Sequence, residues 1–273
     1  MKRASGVLLH ISSLYSRHGI GTLGLPAYDF AAFLHKSGQT YWQVLPLGPT
    51  GWGDSPYQTY SSFAGNPYFI DLDTLAHMGY LTVDELARTD FGSDPEHVDY
   101  EKLAANRMGL LQTAFSRITP HAARELDEFI EEHAAWLDDY CLYMAIREKS
   151  GMRPWYEWDE PLRTRQAQAL SQARQELAQE MRFHAFLQML FRTQWSQLRF
   201  YLKELGIRVI GDLPIYVPYD SADVWASPKM FQMDDACRPE AVSGVPPDYF
   251  SADGQLWGSP LYNWDAMRED NYA

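Results

Sequence analysis

Cysteine and basic residues are both scarce in this chain. Only Cys141 and Cys237 occur among 273 residues, which is too few for a disulfide framework or a zinc site and favours a reducing compartment. Lysine and arginine together number 23 against 36 aspartate and glutamate residues, so the formal net charge is -13. This acidic balance argues against nucleic acid and against an anionic membrane surface as partners.

Long hydrophobic runs are missing as well. No apolar run approaches the length of a membrane span. The apolar run near the N-terminus is interrupted by His10 and is too short for a secretory signal. We therefore predict a cytoplasmic protein without a membrane partner.

The usual cofactor motifs do not stand where they would be needed. We find no Gly-x-Gly-x-x-Gly pattern after a strand and no Gly-Lys-Ser/Thr phosphate loop, so dinucleotide and nucleoside-triphosphate sites are weakly supported. The eight histidines show no metal-ligand spacing, and only His10, at the end of the first predicted strand, is placed to form the floor of a site. We predict no cofactor and no metal, whereas an aromatic content of 14% favours a neutral ligand.

Three apolar runs predict strands, at residues 7–11, 41–45 and 207–211, and Gly206 is the predicted end of the helix before the third. A helical segment with Pro26 at its beginning separates the first two, which is typical of a parallel βαβ unit. The third run is β-branched and predicts a strand buried on both faces. Asp212 follows it at the carboxyl end, where parallel α/β folds build their sites. A capping or ion-pairing role is the alternative for a single aspartate at this position.

The helical part of the chain lies between the second and third predicted strands. We interpret residues of about 73–205 as a helical insertion subdomain and residues 206–273 as a further barrel strand with an active-site loop. Asn263 is a predicted N-cap of a last helix. Three clear strands are fewer than the eight of a closed barrel, so we expect this chain to be shorter than the fold to which it belongs.

Two loops, 46–67 and 244–264, combine aromatic residues with aspartate, glutamine, proline and glycine. An aromatic ring presents an apolar face to the C–H face of a sugar, and neighbouring carboxylates and amides bind its hydroxyls. The alternative is that these aromatic residues are hydrophobic plugs beneath long loops. Composition alone leaves both interpretations open.

Several longer motifs closely resemble the amylomaltase family, the bacterial 4-α-glucanotransferases. They are YWQVLPLGPT at 41–50, GDSPY at 53–57, GNPY at 65–68, GDLPI at 211–215, GVPPDYF at 244–250 and GQLWG at 254–258. The resemblance extends over the whole chain, and the motifs occur in the family's order.

The resemblance implies an α/β fold, a (β/α)8 TIM barrel of the α-amylase/amylomaltase type with helical insertions, of which this chain is an incomplete N-terminal portion. It also implies action on α-1,4-glucans and maltooligosaccharides without a metal or organic cofactor. Part of one glucan is transferred to the 4-hydroxyl of an acceptor glucan or glucose. The chemistry is a retaining double displacement with a carboxylate nucleophile and a carboxylic acid–base.

The resemblance also assigns residues to substrate binding. These are Trp52, Asp54, Ser55, Tyr57, Asp212, Pro246, Asp248, Tyr249, Phe250, Gln255 and Trp257. Ser55 and Tyr57 are expected on the donor side, and residues 246–250 over the glucan. Trp257 is expected beside the acceptor. Trp52 stands where the family often has tyrosine, so a stacking face is kept and a hydroxyl is lost.

No catalytic residue is assigned within this chain. The family's nucleophile motif, Arg-Ile-Asp-His, does not occur in residues 1–273, and the motif around Asp212 is different from it. We therefore expect the C-terminal half of the same enzyme to supply the catalytic carboxylates. The alternatives are a non-catalytic glucan-binding fragment and a hydrolase of the α-amylase class.

Overall fold

The structure, a computed structural model, describes residues 3–94 and 96–272, without the side chain of Trp52. Strands β1 (Gly6–Leu8), β2 (Tyr41–Gln43) and β3 (Arg208–Ile210) form a parallel sheet in the order β1-β2-β3. The three predicted strands and their parallel arrangement are thereby confirmed, although each strand is shorter than predicted. Strands β4 (Val242–Val245) and β5 (Gln255–Pro260) form an antiparallel hairpin.

Helices make up most of the remaining structure. They are α1 (Leu25–Lys36), α2 (Leu72–His77), α3 (Val83–Arg88), α4 (Tyr100–Lys102), α5 (Met108–Ser116), α6 (Pro120–Glu132), α7 (Ala134–Lys149), α8 (Glu160–Arg163), α9 (Ala167–Glu176), α10 (Ala178–Glu204), α11 (Ala222–Ala226) and α12 (Trp264–Glu269). A π-helical turn at Leu103–Arg107 joins α4 to α5. In the part of the chain that the structure describes, short 3-10 turns lie at Ile11–Ser13, Trp52–Asp54, Pro67–Phe69, Trp155–Glu157 and Pro228–Met230.

Local signals account for several helix ends. Pro26 stands in the first turn of α1, and Gly206, with φ of 72°, follows the end of α10 in the left-handed region. The side chain of Asn263 accepts a hydrogen bond from the backbone N–H of Ala266, which confirms the predicted cap of α12.

One prediction about local structure is wrong. The apolar run at residues 68–72 predicts an extended segment, but Pro67–Phe69 form a 3-10 turn and α2 begins at Leu72. The side chain of Asn66 accepts from the N–H of Tyr68, and the side chain of Asp71 accepts from the N–H of Thr74. These side-chain caps stabilise helical turns at a place where the apolar run alone suggests a strand.

One face of the parallel sheet is covered. Val7, Trp42 and Val209 lie opposite one another in register, and Trp42 is only 1% exposed. Phe30 of α1 packs edge-on against Trp42, with the ring centroids 4.9 Å apart. The helical layer of the βαβ unit therefore lies on this face.

The opposite face of the sheet is not covered by the described residues. Leu8 and Ile210 belong to the neighbouring register row, which points away from α1 because side chains alternate along a strand. Leu8 is 55% exposed and Ile210 is 42% exposed. The prediction that β3 is buried on both faces is therefore wrong, since only one face of the three-stranded sheet is covered.

The chain divides into two compact units. The first contains residues 3–49, 65–133 without 95, and 185–213, and the second contains residues 50–64, 134–184 and 214–272. The predicted insertion block of 73–205 contributes helices to both units, and its role as an insertion stays a prediction. Within the described ranges, no helix combines the length and the apolar character that crossing a membrane requires.

Candidate functional site

The predicted binding residues fall in three places. Trp52, Asp54, Ser55 and Tyr57 lie in one loop of the second unit, whereas Pro246, Asp248, Tyr249, Phe250, Gln255 and Trp257 lie on the β4–β5 hairpin of the same unit. Asp212 belongs to the first unit, where it follows the carboxyl end of β3 and is half-buried.

The loop that contains Ser55 and Tyr57 is closed by a backbone bridge between Thr50 and Thr59. Asp54 adopts a left-handed conformation with φ of 54°, and burial raises the pKa of its carboxyl above the usual value. The hydroxyl oxygen of Ser55 accepts from the backbone N–H of Tyr57 at 3.3 Å. The Tyr57 side chain is 45% exposed.

Tyr60 connects the loop that contains Ser55 and Tyr57 to the buried guanidinium of Arg147. The guanidinium carbon of Arg147 lies 4.6 Å from the Tyr60 ring centroid, and Arg147 Nη2 donates to the Tyr60 hydroxyl at 3.4 Å. The backbone N–H of Ser62 donates to a carboxylate oxygen of Asp223 at 2.9 Å. These contacts give the loop a rigid support within the second unit.

The buried charge is part of a network that sequence reasoning missed. Asp220 accepts from Arg147 Nη1 at 2.6 Å and from the hydroxyl of Tyr143 at 2.8 Å. Burial first, and then the charge of Asp220, raise the pKa of Tyr143 well above its usual value, so this hydroxyl stays protonated and donates. Asp220 also accepts from the backbone N–H of Trp155 at 3.3 Å. Through Asp220, this network fixes the segment that follows Pro214 to α7 and to the 3-10 turn at Trp155.

The β4–β5 hairpin depends on two glycines at its crossing points. A Cβ on Gly244 would lie 2.7 Å from the carbonyl oxygen of Gln255, and one on Gly254 would lie 2.5 Å from the carbonyl oxygen of Val245. Gly254 also has φ of 75°, in the left-handed region. The strands therefore come together only because these positions lack a side chain.

At the hairpin tip, Asp248 has a structural role. Its Oδ1 atom accepts from the backbone N–H groups of Phe250 and Ser251, both at 2.9 Å. The turn directs the side chains of Tyr249 and Phe250 into solvent, where they are 97% and 89% exposed. The two rings lie edge to face, with their centroids 5.7 Å apart. Two large rings held in solvent by a tight turn are an uncommon feature that points to a binding surface.

Trp257 belongs to an aromatic cluster on the same hairpin. Its indole N–H donates to the side-chain oxygen of Gln255 at 3.2 Å, and its ring lies 6.3 Å from that of Tyr216. Tyr216 stacks on Tyr262 at 5.9 Å with 14° between the planes. The sequence analysis missed Tyr216 and Tyr262 as site residues, although Tyr216 directly follows the GDLPI motif.

The first unit contains a Gly-x-Gly-x-x-Gly pattern that the sequence analysis missed. Residues 19–24 read Gly-x-Gly-x-x-Gly before α1, but the 3-10 turn at Ile11–Ser13 separates them from β1. A Cβ on Gly24 would lie 2.1 Å from the carboxylate of Asp71, which accepts from the Thr22 hydroxyl at 2.7 Å. A buried carboxylate this close to Gly24 would repel a pyrophosphate, which disfavours a dinucleotide site at this pattern.

His10 is buried in the first unit, at 8% exposure, with its ring edge to face with Phe69 at 5.3 Å. Burial lowers the pKa of His10 from 6.5 to about 4. Its proposed place in the floor of a site stays a prediction. Among the described residues, no group of three or more histidine, cysteine, aspartate or glutamate side chains is arranged to hold a metal ion.

The depressed pKa of His10 predicts an acid-sensitive fold. His10 binds a proton near pH 6.5 in the unfolded chain but only near pH 4 in the folded chain. Its contribution to the free energy of unfolding is therefore fully present above pH 6.5 and is lost as the pH is lowered toward 4. For His10 the loss amounts to about 3 kcal/mol. Urea unfolding at a series of pH values should show it, and H10Q should flatten the slope, whereas H121Q, at an exposed site, should not. A slope unaffected by H10Q would contradict this assignment.

The fold and these surfaces define a class of protein. A parallel α/β sheet is accompanied by loops that present exposed aromatic rings beside carboxylates and amides, and these are the side chains that a carbohydrate ligand requires. These features define an α/β protein whose loops expose aromatic rings.

Comparison with known proteins gives the family. The sequence profile described as 4-alpha-glucanotransferase matches residues 9–273. The 4-alpha-glucanotransferase of Thermus thermophilus is 48% identical over 277 aligned residues, which cover 100% of this chain and 54% of the relative. That of Streptococcus pneumoniae (strain ATCC BAA-334 / TIGR4) is 45% identical over 99% of this chain and 54% of the relative. The chain belongs to the 4-alpha-glucanotransferase family, and the predicted resemblance is confirmed.

Solved structures agree with this assignment. The amylomaltase from Streptococcus agalactiae in complex with acarbose matches with a TM-score of 0.96 at 44% identity, over 99% of this chain and 55% of that one. The amylomaltase from Corynebacterium glutamicum matches with a TM-score of 0.76 at 19% identity, over 98% of this chain and 38% of that chain. At this identity the match supports the fold alone. The chain thus spans about half the length of the curated relatives it matches.

Proposed function

We propose that this chain is part of an enzyme that transfers segments of α-1,4-glucans to the 4-hydroxyl of another glucan or of glucose. The observation that carries the proposal is the β4–β5 hairpin, whose tight turn holds Tyr249 and Phe250 in solvent near the start of the strand that carries Trp257. Relatives named 4-alpha-glucanotransferase and a relative in complex with acarbose agree with it.

The chemistry we propose is a retaining double displacement. One carboxylate attacks the anomeric carbon while a carboxylic acid protonates the leaving oxygen, and the resulting glycosyl-enzyme is then attacked by an acceptor hydroxyl that the same acid–base deprotonates. In this chain Ser55 and Tyr57 would line the donor side and Asp212 the carboxyl end of the sheet. Residues 246–250 would lie over the glucan, and Trp257 beside the acceptor.

The uncovered face of the sheet supports the proposal of a (β/α)8 barrel. In such a barrel, helices cover the outer face of the strands, and branched side chains of the inner face fill the interior. Trp42 lies on the face that α1 covers, whereas Leu8 and Ile210 lie on the other face and are exposed. We therefore propose that the remaining strands of the barrel, from the C-terminal half of the same enzyme, complete this inner face.

The proposed partners are α-1,4-glucans and maltooligosaccharides, with neither nucleic acid nor membrane, and the proposed location is the cytoplasm. The net charge of -13 supports the absence of nucleic-acid and membrane partners, because a negatively charged protein repels phosphate backbones and anionic lipids.

Glucan binding should depend on Tyr57 and Trp257 more than on Trp52. Replacing either of the first two by alanine removes an aromatic face from the sugar, which should weaken maltoheptaose binding by about 1–3 kcal/mol. Titration calorimetry measures the change, and F200A, at a 66% exposed phenylalanine in the first unit, serves as the control. Unchanged affinity in both Y57A and W257A would contradict the proposed binding surface.

A further inference from the structure

The first unit contains a cavity of about 880 Å³ beside α1, which we call the α1 cavity. Its lining residues are Leu14, Tyr15, Ser16, Arg17, Leu25, Pro26, Asp29, Phe30, Phe33, Asp71, Asp73, Thr74 and His77. None of the residues predicted to bind substrate is among them. Its volume lies within the range of about 300–1,000 Å³ that is usual for small-molecule sites.

Three aromatic rings form the apolar part of the α1 cavity. Phe30 and Phe33 stack at 6.1 Å with 27° between their planes. Tyr15 is 73% exposed and Phe33 is 57% exposed, although both rings would gain from burial. Phe30 also packs edge-on against the buried Trp42, which fixes the orientation of its ring in the cavity.

The polar part of the cavity is rich in hydrogen-bond acceptors. Asp73 accepts from Arg17 and lies 3.1 Å from Nε2 of His18. Burial raises the pKa of Asp73, but the hydrogen bond from Arg17 and the interactions with His18 outweigh it and lower the pKa below the usual value. Asp73 therefore stays ionised. The exposed Asp29 adds a second carboxylate that accepts no hydrogen bond from the described residues.

These walls select the class of ligand. An anion such as a phosphate is disfavoured, because three aspartates against one arginine line the cavity. An apolar ligand would take water away from the exposed carboxylate of Asp29 without replacing it by a hydrogen-bond donor. A neutral ligand with many hydroxyls satisfies both parts, since its C–H faces cover the rings and its hydroxyls donate to the carboxylates.

We propose that the α1 cavity is a further oligosaccharide-binding site of this chain, which holds an α-1,4-glucan segment against Tyr15 and Phe33. The identity of the sugar rests on the proposed function, whereas the place of the site rests on the cavity. Such a site would keep a long glucan attached to the first unit while another part of the polymer binds elsewhere, which raises the effective concentration of glucan ends.

Backbone amide signals of the ¹⁵N-labelled chain, titrated with maltoheptaose, would test the proposal. Signals from residues 15–17 and 25–33 should move and saturate. The variants Y15A and F33A should each weaken this response about tenfold, because one stacking face is lost. F200A, an exposed phenylalanine outside the cavity, should leave it unchanged, and W257A should affect only the signals of the β4–β5 hairpin.

The outcomes separate this inference from the proposed function. If only the amide signals of the β4–β5 hairpin shift at saturating maltoheptaose, the proposed site in the α1 cavity is wrong and the proposed function is unaffected. Movement at the cavity that is lost in Y15A and F33A supports the site even where the hairpin does not respond, a result that would count against the proposed function. Absence of movement at both places would overturn both. If spermidine moves the cavity signals and maltoheptaose does not, the cavity is a cation site and the proposal is wrong.

Discussion

Residues 1–273, incubated with maltotriose, should release no glucose above background, and a longer chain completed with the remaining segment of the Thermus thermophilus relative should release it readily. A retaining transfer needs two carboxyl groups about 5 Å apart across the scissile bond. The family's nucleophile motif does not occur in this chain. Removing a nucleophile costs several orders of magnitude in rate, because binding alone cannot form the glycosyl-enzyme.

The products of the completed chain decide among the alternatives. Transfer between two maltotriose molecules yields glucose and maltopentaose, whereas an α-amylase-class hydrolase yields maltose and glucose. A non-catalytic glucan-binding fragment binds maltoheptaose, and completing the chain leaves it inactive. Strong glucose release by residues 1–273 alone, abolished in D212N, would show that the nucleophile lies in this chain and that the assignment of Asp212 to substrate binding is wrong.

Replacing Asp220 by alanine should destabilise the second unit by about 3–5 kcal/mol, the usual cost of removing one partner of a buried ion pair. The side chain of Arg147 is only 8% exposed, and Asp220 accepts from it at 2.6 Å. Without the carboxylate, the guanidinium stays buried with an uncompensated charge, and the Tyr143 hydroxyl loses its acceptor. Urea unfolding followed by tryptophan fluorescence measures the loss.

A double variant separates the unpaired charge from other effects. In R147M/D220L neither charge remains, so most of the stability lost in D220A should return. D265A provides the surface control, because the carboxylate that pairs with Arg268 is 86% exposed and should contribute less than about 1 kcal/mol. Equal stability of D220A and the parent chain would contradict the assigned role of the network.

The loops show how the family motifs and the structure complement each other. The motifs predict that residues 246–250 and Trp257 form a binding surface. That role stays a prediction, and the structure shows that the hairpin exposes Tyr249 and Phe250. They did not predict that Asp248 caps the turn with two backbone hydrogen bonds. An aspartate that binds a sugar and one that shapes a turn have the same letter in the sequence, and only backbone geometry separates them.

The sequence by itself determined the features that depend on neighbours within a few residues. Pro26, Gly206 and Asn263 set helix ends through interactions inside one turn, and three short apolar runs marked the parallel strands. The order of the long motifs determined the family, because a chance match of several such motifs is very improbable. These signals are local, so they can be recognised along the chain without knowing its path in space.

Only the tertiary structure decided what depends on distant contacts. Asp220 and Arg147 are 73 residues apart, and nothing near either residue reveals their ion pair. The exposed face at Leu8 and Ile210 likewise depends on which elements cover the sheet, although their apolar character alone suggests burial. Burial and charge pairing are properties of the packed chain, since a side chain's surroundings come from segments that the sequence places far away.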